Sequence, residues 1–371
     1  MKYKIIIVVG ARPNFMKAAP IYQEFKKYPE IETLLIHTGQ HYDKNLSKVF
    51  FDDLKLPRPT FHLGVGSASH SIQTARIMTE FEKILMKEEP NLIMVVGDVN
   101  STLACALSAA KYRCLRKVYQ PLIAHIEAGL RSFDWRMPEE INRKLTDALS
   151  DLLFTTEPQA NDNLLKEGVE PNRIFYVGNV MIDSLLRFRA QAKNSKILKK
   201  LKLKKNSYAL LTMHRPGNVD DKADLKNIIQ ALGKIANSIK IVFPVHPRTQ
   251  KMLKRFRIKV NFLKLISPLG YLEFLKLMIE AKFVLTDSGG IQEETTVLGI
   301  PCLTLRENTE RPITVSVGTN IIVGKDPQRI ISESKKILNG KGKKGSIPEF
   351  WDGRTAERIC KIVYDYLRTH H

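Results

Sequence analysis

Short apolar runs alternate with helix-length amphipathic segments along the whole chain, and this alternation constrains the fold more than any other feature. Ten runs have the length of a strand; they cover residues 5–9, 33–37, 92–96, 122–126, 152–155, 208–213, 240–244, 283–286, 302–305 and 321–323. Continuous apolar runs are typical of parallel strands buried on both faces of a sheet. The segments that read as helices supply the crossovers; they cover residues 13–28, 70–87, 138–150, 220–236 and 328–338. The sequence therefore predicts a repeated βαβ series.

A Lys-rich break at residues 191–206 divides this series into two halves. About ten strands and a break in mid-chain favour two domains over one eight-unit barrel. We predict two doubly wound, Rossmann-like α/β domains facing a cleft. The first covers residues 1–178 and is joined by a C-terminal helix at 353–371, and the second covers 179–345.

Composition excludes several classes of protein. The apolar runs are far shorter than the roughly 20 residues of a membrane-spanning helix, and the N-terminal residues lack the pattern of a secretory signal. The four cysteines, at 105, 114, 302 and 360, form no CxxC pair. We therefore expect a cytoplasmic protein without disulfides, without a bound metal and without a membrane partner.

The formal net charge of +21 raises the alternative of a nucleic-acid-binding or membrane-surface protein. No zinc finger, helix-turn-helix or RNA-binding aromatic motif accompanies the charge. We interpret it as a Lys-rich solvated surface together with cations that hold an anionic substrate, and predict no nucleic-acid partner.

The turns that follow apolar strands carry the residues that could bind a ligand or take part in catalysis. The first turn, Gly10-Ala11-Arg12-Pro13, leads into a helix that carries Lys17. It lacks the GxGxxG of a dinucleotide fold, but a helix N-terminus favours anions, so Arg12 and Lys17 could face a phosphate. The alternative is an ordinary solvated helix start.

A second turn combines a possible phosphate-binding cradle with two carboxylates. Ser288, Gly289 and Gly290 follow a strand and open a helix, so Ser288 could cap the helix and the glycines could admit a phosphate. Glu293 and Glu294 could complement the helix dipole, or one of them could accept ribose hydroxyl groups.

Two further carboxylates, Asp98 and Glu127, stand at the ends of apolar strands and should approach each other. Clustered carboxylates suit proton transfer. Glu139 and Glu140 open a helix, where acids are common because of the dipole alone. His214 ends the first strand of the second half, where a structural and a functional role are both open.

Taken together, these motifs resemble the non-hydrolysing UDP-N-acetylglucosamine 2-epimerase family nearly from end to end. The matching segments lie at 10–17, 38–41, 97–102, 125–131, 138–143, 177–183, 214–215, 287–294 and 309–312. The resemblance implies a glycosyltransferase-B-like fold and a homodimer without metal or other cofactor. It also implies interconversion of UDP-N-acetylglucosamine and UDP-N-acetylmannosamine.

The resemblance also implies roles for individual residues. Asp98, Glu127 and Glu139 would be catalytic carboxylates, with His214 beside them. The other residues would bind the substrate: Arg12, Lys17, Arg143, Phe274, Ser288, Gly289, Gly290, Glu294 and Arg311. Gln40, His41 and His246 match parts of an allosteric site found in bacterial relatives. Pro216 and Gly217 depart from the family pattern after His214-Arg215.

The expected chemistry avoids an unstabilised carbanion at C2, which lies beside an acetamido nitrogen rather than a carbonyl. UDP leaves C1 while a base removes the C2 proton, giving 2-acetamidoglucal. Protonation on the other face and return of UDP complete the inversion. This scheme requires cations for the diphosphate and at least one acid and one base.

Four alternatives remain open on the sequence. The chain could be a C2 epimerase of a related UDP-sugar of the 2,3-diacetamido uronic acid type, or a hydrolysing relative that releases N-acetylmannosamine. It could also be a glycosyltransferase of the same fold, although the carboxylate cluster argues against this. The non-enzyme alternative is a basic nucleic-acid-binding protein.

Overall fold

The computed structural model describes residues 2–40, 56–115 and 120–370. The contacts divide the chain into two compact units. Unit 1 comprises Met1–Ser184 and Glu349–His371, and unit 2 comprises Leu185–Pro348. The N-terminal boundary thus lies a few residues beyond position 178, inside a helix.

In the described residues, unit 1 is built on a seven-stranded sheet in the order β3-β2-β1-β4-β5-β6-β7, with every described pairing parallel. The strands are β1 (Tyr3–Val9), β2 (Ile31–His37), β3 (Phe61–His62), β4 (Leu92–Val96), β5 (Leu122–Ala128), β6 (Leu152–Thr155) and β7 (Ile174–Tyr176). The described α-helices that begin in the N-terminal part of unit 1 are α1 (Arg12–Phe25), α2 (His70–Glu88), α3 (Asn100–Leu115), α4 (Pro138–Leu149), α5 (Pro158–Lys166) and α6 (Val180–Lys193). The sheet is doubly wound, as predicted from the sequence.

The core of unit 1 forms where the central strands are covered on both faces. Ile5, Ile6 and Ile7 of β1 have no exposed surface, and neither do most residues of β4. Burial of each such side chain contributes about 1.5–3 kcal/mol. The apolar runs therefore predict the central strands well.

The C-terminal helix α15 (Thr355–His370) packs on α1 in unit 1. The sulfur of Cys360 lies 3.6 Å from the carbonyl oxygen of Ile21, and the rings of Tyr28 and Tyr364 are 5.0 Å apart. Asp183 accepts hydrogen bonds from the first two backbone amides of α15, at Thr355 and Ala356. These donors have no partner inside the helix, so Asp183 caps it from a distant part of the chain.

Unit 2 contains a parallel six-stranded sheet in the order β10-β9-β8-β11-β12-β13. Its strands are β8 (Tyr208–Thr212), β9 (Lys240–Pro244), β10 (Leu263–Ile266), β11 (Phe283–Thr286), β12 (Cys302–Thr304) and β13 (Asn320–Ile322). Its helices after α6 are α7 (Ile197–Leu201), α8 (Pro216–Val219), α9 (Lys222–Ala236), α10 (Pro247–Arg255), α11 (Tyr271–Ile279), α12 (Gly289–Leu298), α13 (Pro312–Ser316) and α14 (Pro327–Leu338). Two doubly wound α/β units are thus confirmed.

Three strands of the structure were not predicted from the apolar runs of the sequence. β3 and β7 are short edge strands of unit 1, and β10 is an edge strand of unit 2 with Leu265 41% exposed. Edge strands are covered less completely, so their sequences need not be continuously apolar. The predicted helix at 220–236 corresponds to α9, which begins at Lys222 because Asp221 caps it, and the short helix α8 that precedes it was not predicted.

A search of the described residues finds no helix that is both long and apolar enough to cross a bilayer. The three described cysteines, Cys105, Cys302 and Cys360, are buried free thiols. No group of three or more potential metal-binding side chains occurs in the same residues.

Candidate active site

In unit 1, the candidate residues stand at the carboxyl ends of neighbouring strands. β4 and β5 pair in parallel with Val96 opposite Ile126, so Gly97-Asp98, which follows β4, lies beside Glu127 near the end of β5. Gly97 has a φ of +70°, and Glu127 has a φ of +77°, a conformation that a residue with a β-carbon rarely adopts. Such strain concentrates at functional sites.

Lys17 and Glu127 form an ion pair in the interior of unit 1. Lys17 reaches Glu127 from the second turn of α1, and their side chains are only 8% and 3% exposed. A side chain added at Gly97 would lie 3.4 Å from the Lys17 ammonium and 3.6 Å from the Glu127 carboxylate. Glycine at 97 therefore leaves room directly above this pair.

Asp98 and Arg143 form the second ion pair of the candidate site. Arg143 Nη1 lies 2.5 Å from Asp98 Oδ2, and its Nη2 lies 2.5 Å from Glu140 Oε2. Asn142 donates to the backbone oxygen of Asp98 over 2.9 Å. Asp98 retains 29% exposure of its side chain, whereas Arg143 is buried. Arg143 was expected to contact the substrate. In this structure it is paired with two carboxylates of its own chain.

Glu140 has a structural position that the sequence did not indicate. It is fully buried and accepts hydrogen bonds from the backbone amides of Ser132 and Phe133 as well as from Arg143. Burial would raise the pKa of Glu140, but these hydrogen bonds and the Arg143 charge lower it below its ordinary value. Its neighbour Glu139 is half-buried in the first turn of α4.

The remaining candidates of unit 1 lie around the turns after β1 and β2. Arg12 opens α1, and its side chain is outside the described atoms, as is the whole of His41. Gln40 is buried, and its side-chain oxygen accepts hydrogen bonds from the amide and the hydroxyl of Ser101 over 3.1 and 2.7 Å. Gln40 therefore ties the turn after β2 to the start of α3.

In unit 2, a buried carboxylate holds the candidate histidine. His214 Nδ1 lies 3.1 Å from Asp287 Oδ1, while Asp287 Oδ2 accepts from the backbone amides of His214 and Arg215 over 2.9 and 2.8 Å. Burial alone would raise the pKa of Asp287, but its hydrogen bond and charge interaction with His214 lower it. The imidazole is 43% exposed, so its Nε2 edge is available to a ligand.

His246 lies near His214 at the next strand end, with the ring centroids 5.5 Å apart. Its Nδ1 accepts from the backbone amide of Arg248 and caps α10. Burial first, and then the nearby charge of His214, lower the pKa of His246. The predicted allosteric residue is therefore a helix cap in this structure.

The predicted phosphate cradle lies at the N-terminus of α12. Ser288 occupies the N-cap position, but its side chain makes no capping hydrogen bond, contrary to the expectation, and its amide donates to Thr286 Oγ1. A side chain at Gly289 would lie 2.6 Å from a carboxylate oxygen of Glu310. Glycine is thus required there by the protein's own packing, and the free amides at the start of α12 favour an anion.

Glu294 and Arg311 are both buried and engaged. Glu294 accepts a hydrogen bond from the hydroxyl of Tyr271 over 2.9 Å, and Arg311 forms an ion pair with Glu293. Phe274 lies on α11 one turn after Tyr271 and is half-buried. Tyr271 thus positions the carboxylate that was expected to contact ribose.

Several residues that organise the site were not given roles from the sequence. Asp287 and Glu310 in unit 2, and His125 and Asp147 in unit 1, are buried charged or polar side chains that hold the candidate residues or their turns. Asp287 and His125 belong to motifs noted above, but only the three-dimensional contacts distinguish a holding role from a direct one.

Comparisons with known proteins identify the family of the chain. A sequence model described as UDP-N-acetylglucosamine 2-epimerase matches residues 23–364. The chain is 48% identical to a UDP-N-acetylglucosamine 2-epimerase homolog of Methanococcus maripaludis, covering 90% of this chain and 92% of that protein. It is also 40% identical to the UDP-2,3-diacetamido-2,3-dideoxy-D-glucuronate 2-epimerase of Pseudomonas aeruginosa, over 97% and 99% of the two chains.

Among solved structures, the UDP-GlcNAc 2-epimerase of Methanocaldococcus jannaschii in complex with UDP-GlcNAc and UDP is similar over nearly its whole length. The TM-score is 0.89 at 43% identity, covering 98% of this chain and 99% of that one. The two-unit α/β architecture is accordingly of the glycosyltransferase-B type, as expected. With a family match over most of its length, the chain belongs to the UDP-N-acetylglucosamine 2-epimerase family.

Proposed function

We propose that this chain reversibly inverts C2 of UDP-N-acetylglucosamine, giving UDP-N-acetylmannosamine, by eliminating UDP to form 2-acetamidoglucal and adding it back. The observation that carries the proposal is the similarity to the M. jannaschii epimerase, whose structure holds UDP-GlcNAc and UDP. The carboxylates and cations at the strand ends of unit 1 supply the groups that this chemistry needs.

Proton transfer is assigned to unit 1. Asp98, Glu127 and Glu139 provide three carboxylates near one edge of the sheet, and one acid and one base suffice for the two faces of C2. The ion pair with Lys17 orients Glu127, and Arg143 orients Asp98. Fixed partners of this kind limit the reorganisation that proton transfer would otherwise require.

Nucleotide binding is assigned to unit 2. The free amides at the N-terminus of α12, with Gly289 and Gly290, are suited to the diphosphate. His214, held by Asp287, presents a donor to the leaving phosphate. Arg12 and Lys17, which belong to unit 1, are proposed as further substrate-binding cations. Glu294 and Phe274 are proposed to contact ribose and uracil, and Arg311 to complete the ligand-binding set.

The test is proton NMR of the purified protein with UDP-N-acetylglucosamine in deuterated water. We expect UDP-N-acetylmannosamine that carries deuterium at C2, since the C2 hydrogen must exchange with solvent. Free N-acetylmannosamine as the main product would instead identify a hydrolysing enzyme. Absence of both product and exchange would contradict the proposal for this substrate.

A second candidate substrate is UDP-2,3-diacetamido-2,3-dideoxy-D-glucuronate, favoured by the 40% identity to the P. aeruginosa enzyme. The C2 chemistry is the same, and the difference lies in the substituents at C3 and C6. Comparison of kcat/KM for the two nucleotide sugars decides between them, and a ratio above about 100 marks the true substrate, because missing contacts to substrate groups cost that much or more.

Three further expectations form part of the proposal. A homodimer is implied by the family resemblance and is tested by sedimentation velocity. A cytoplasmic location fits the buried free thiols of Cys105, Cys302 and Cys360. Gln40, His41 and His246 would belong to an allosteric site, for which a sigmoidal dependence of rate on substrate concentration is the test.

A further inference from the structure

His125 occupies a position in unit 1 that the proposed chemistry does not use directly. It lies on β5 two residues before Glu127 and has no exposed surface. Its Nδ1 is 2.6 Å from Asp147 Oδ1, and its Nε2 is 2.9 Å from the carbonyl oxygen of Gly97. Each ring nitrogen therefore faces an oxygen.

The two oxygens determine what the ring must do. A backbone carbonyl can only accept a hydrogen bond, so Nε2 carries a proton. Asp147 is held as an anion: burial would raise its pKa, but the charges and hydrogen bonds of His125 and Arg131 lower it. An ionised carboxylate also only accepts, so a proton on Nδ1 would complete this second contact. Both ring nitrogens of His125 thus face oxygen acceptors, and a doubly protonated ring would satisfy both contacts.

Asp147 extends this contact to a second turn. Its Oδ2 accepts from the backbone amide of Gly129 over 3.1 Å and lies 2.7 Å from Arg131 Nη2. Gly129 follows the strand end that carries Glu127, whereas Gly97 precedes Asp98. Both glycines have positive φ values, +77° and +70°. One buried pair thus holds the turn on each side of the candidate carboxylates.

We propose that His125 is a positioning residue: as a doubly protonated ring joined to Asp147, it fixes the Gly97 turn relative to the Gly129 turn and so sets the spacing of Asp98 and Glu127. The proposal rests on the proposed epimerisation. Its physical basis is that a small misplacement of reacting groups lowers the rate of the chemical step more than it weakens binding.

The variants are His125→Gln, which cannot donate to both oxygens, and Asp147→Asn, which keeps an acceptor for Gly129 but removes the charge. The matched control is Asp151→Asn. Asp151 also forms a partly buried ion pair, with Arg113, and accepts a hydrogen bond from the backbone amide of Ile123. These contacts lie at the opposite end of β5 from Glu127. The Asp151→Asn variant should lower the stability of unit 1 without moving the turns at Gly97 and Gly129.

We expect kcat to fall about 100-fold in His125→Gln and Asp147→Asn, with KM within about threefold of the wild type. In the double variant the loss should be far smaller than the product of the two single losses, because both remove the same link. Asp151→Asn should keep kcat within about twofold. Equal kcat in wild type and variants, or a rise in KM alone, would overturn the positioning role.

A second measurement does not depend on turnover. In protein labelled with ¹⁵N at histidine, the His125 ring should show two bonded protons at pH 7.5, and Asp147→Asn should remove the proton on Nδ1 or exchange it rapidly. A ring with one proton in the wild type would overturn the proposal even if the variants are inactive or unfolded. Wild-type protein that turns over no UDP-sugar refutes the proposed function, while the NMR result still decides the protonation of His125.

Discussion

Lys17 and Glu127 are joined in a buried ion pair that connects α1 to the end of β5. Breaking such a pair by removing one partner leaves the other charge in a poorly solvated place, which typically costs about 3–5 kcal/mol. Lys17 and Glu127 are also proposed to act on the substrate, so stability and activity are measured separately in each variant.

We predict that Lys17→Met and Glu127→Gln each lower the free energy of unfolding of unit 1 by about 3 kcal/mol, and that the double variant loses much less than the sum. Both tryptophans, Trp135 and Trp351, lie in unit 1, so their fluorescence during urea unfolding reports on this unit. All three variants should be inactive in the deuterium-exchange assay. Strictly additive stability losses would mean that the pair is not coupled.

Replacement of Asp287 by Asn should lower kcat by at least about 10-fold, because a carboxylate that holds the orientation and tautomer of a functional imidazole contributes to its reactivity. Asp287 fixes the ring of His214 through Nδ1 and holds two backbone amides of the same turn. His214→Gln is the comparison, and the combined variant should be no slower than the slower single variant. An unaltered rate in Asp287→Asn would remove His214 from the proposed chemistry.

The stability of unit 1 should depend on pH through His37. Burial, followed by the neighbouring charge of His62, lowers the pKa of His37 to about 4, and its ring stacks on those of Phe15 and His62. The unfolded chain takes up the proton near pH 6.5, so stability is full above this value and falls as the pH drops toward 4. Between pH 7 and pH 5 the loss should be about 2 kcal/mol.

Urea unfolding followed by tryptophan fluorescence measures this loss. The variant His37→Gln should start from a lower stability at pH 7, because the stacking is altered, but should lose less between pH 7 and pH 5. The same loss in wild type and variant would assign the pH dependence to other groups.

Almost the whole net charge of the protein is carried by unit 2. It contains 32 Lys and Arg against 12 Asp and Glu, a net charge of +20, whereas unit 1 contains 27 against 26, a net charge of +1. A field of this size attracts a nucleotide diphosphate and is screened by salt. We predict that kcat/KM for the UDP-sugar falls about tenfold between 20 and 500 mM NaCl.

Charge neutralisation tests where this attraction originates. Replacing Lys251, Lys254 and Lys259 of unit 2 by Gln should reduce the dependence on salt. The matched replacement of three exposed lysines of unit 1, at positions 26, 83 and 111, should leave a stronger dependence of kcat/KM on salt than the triple variant of unit 2 shows. An equal reduction in both triple variants would contradict the assignment to unit 2.

The sequence by itself determined the central strands, the crossover helices and the turns that carry the candidate residues. It could do so because parallel strands buried on both faces must be continuously apolar, as β1 and β4 are, and because ligands bind at the carboxyl ends of such strands. Gly97, Asp98, Glu127 and His214 stand at the ends of apolar runs and differ from them in residue type. They can therefore be recognised in the sequence for the same reason. The family resemblance then gave these positions their expected roles.

Only the tertiary structure decided which charged groups hold each other. Glu140 looked like an ordinary helix-start acid and is a buried acceptor, while Arg143 is paired with Asp98. Ion pairs such as Lys17 with Glu127 join residues 110 positions apart, and no local pattern encodes such a distance. The same holds for the uneven charge of the two units, because it depends on where the chain divides. Burial and long-range pairing are properties of the packed molecule, so a single sequence can name the charged residues but not their partners.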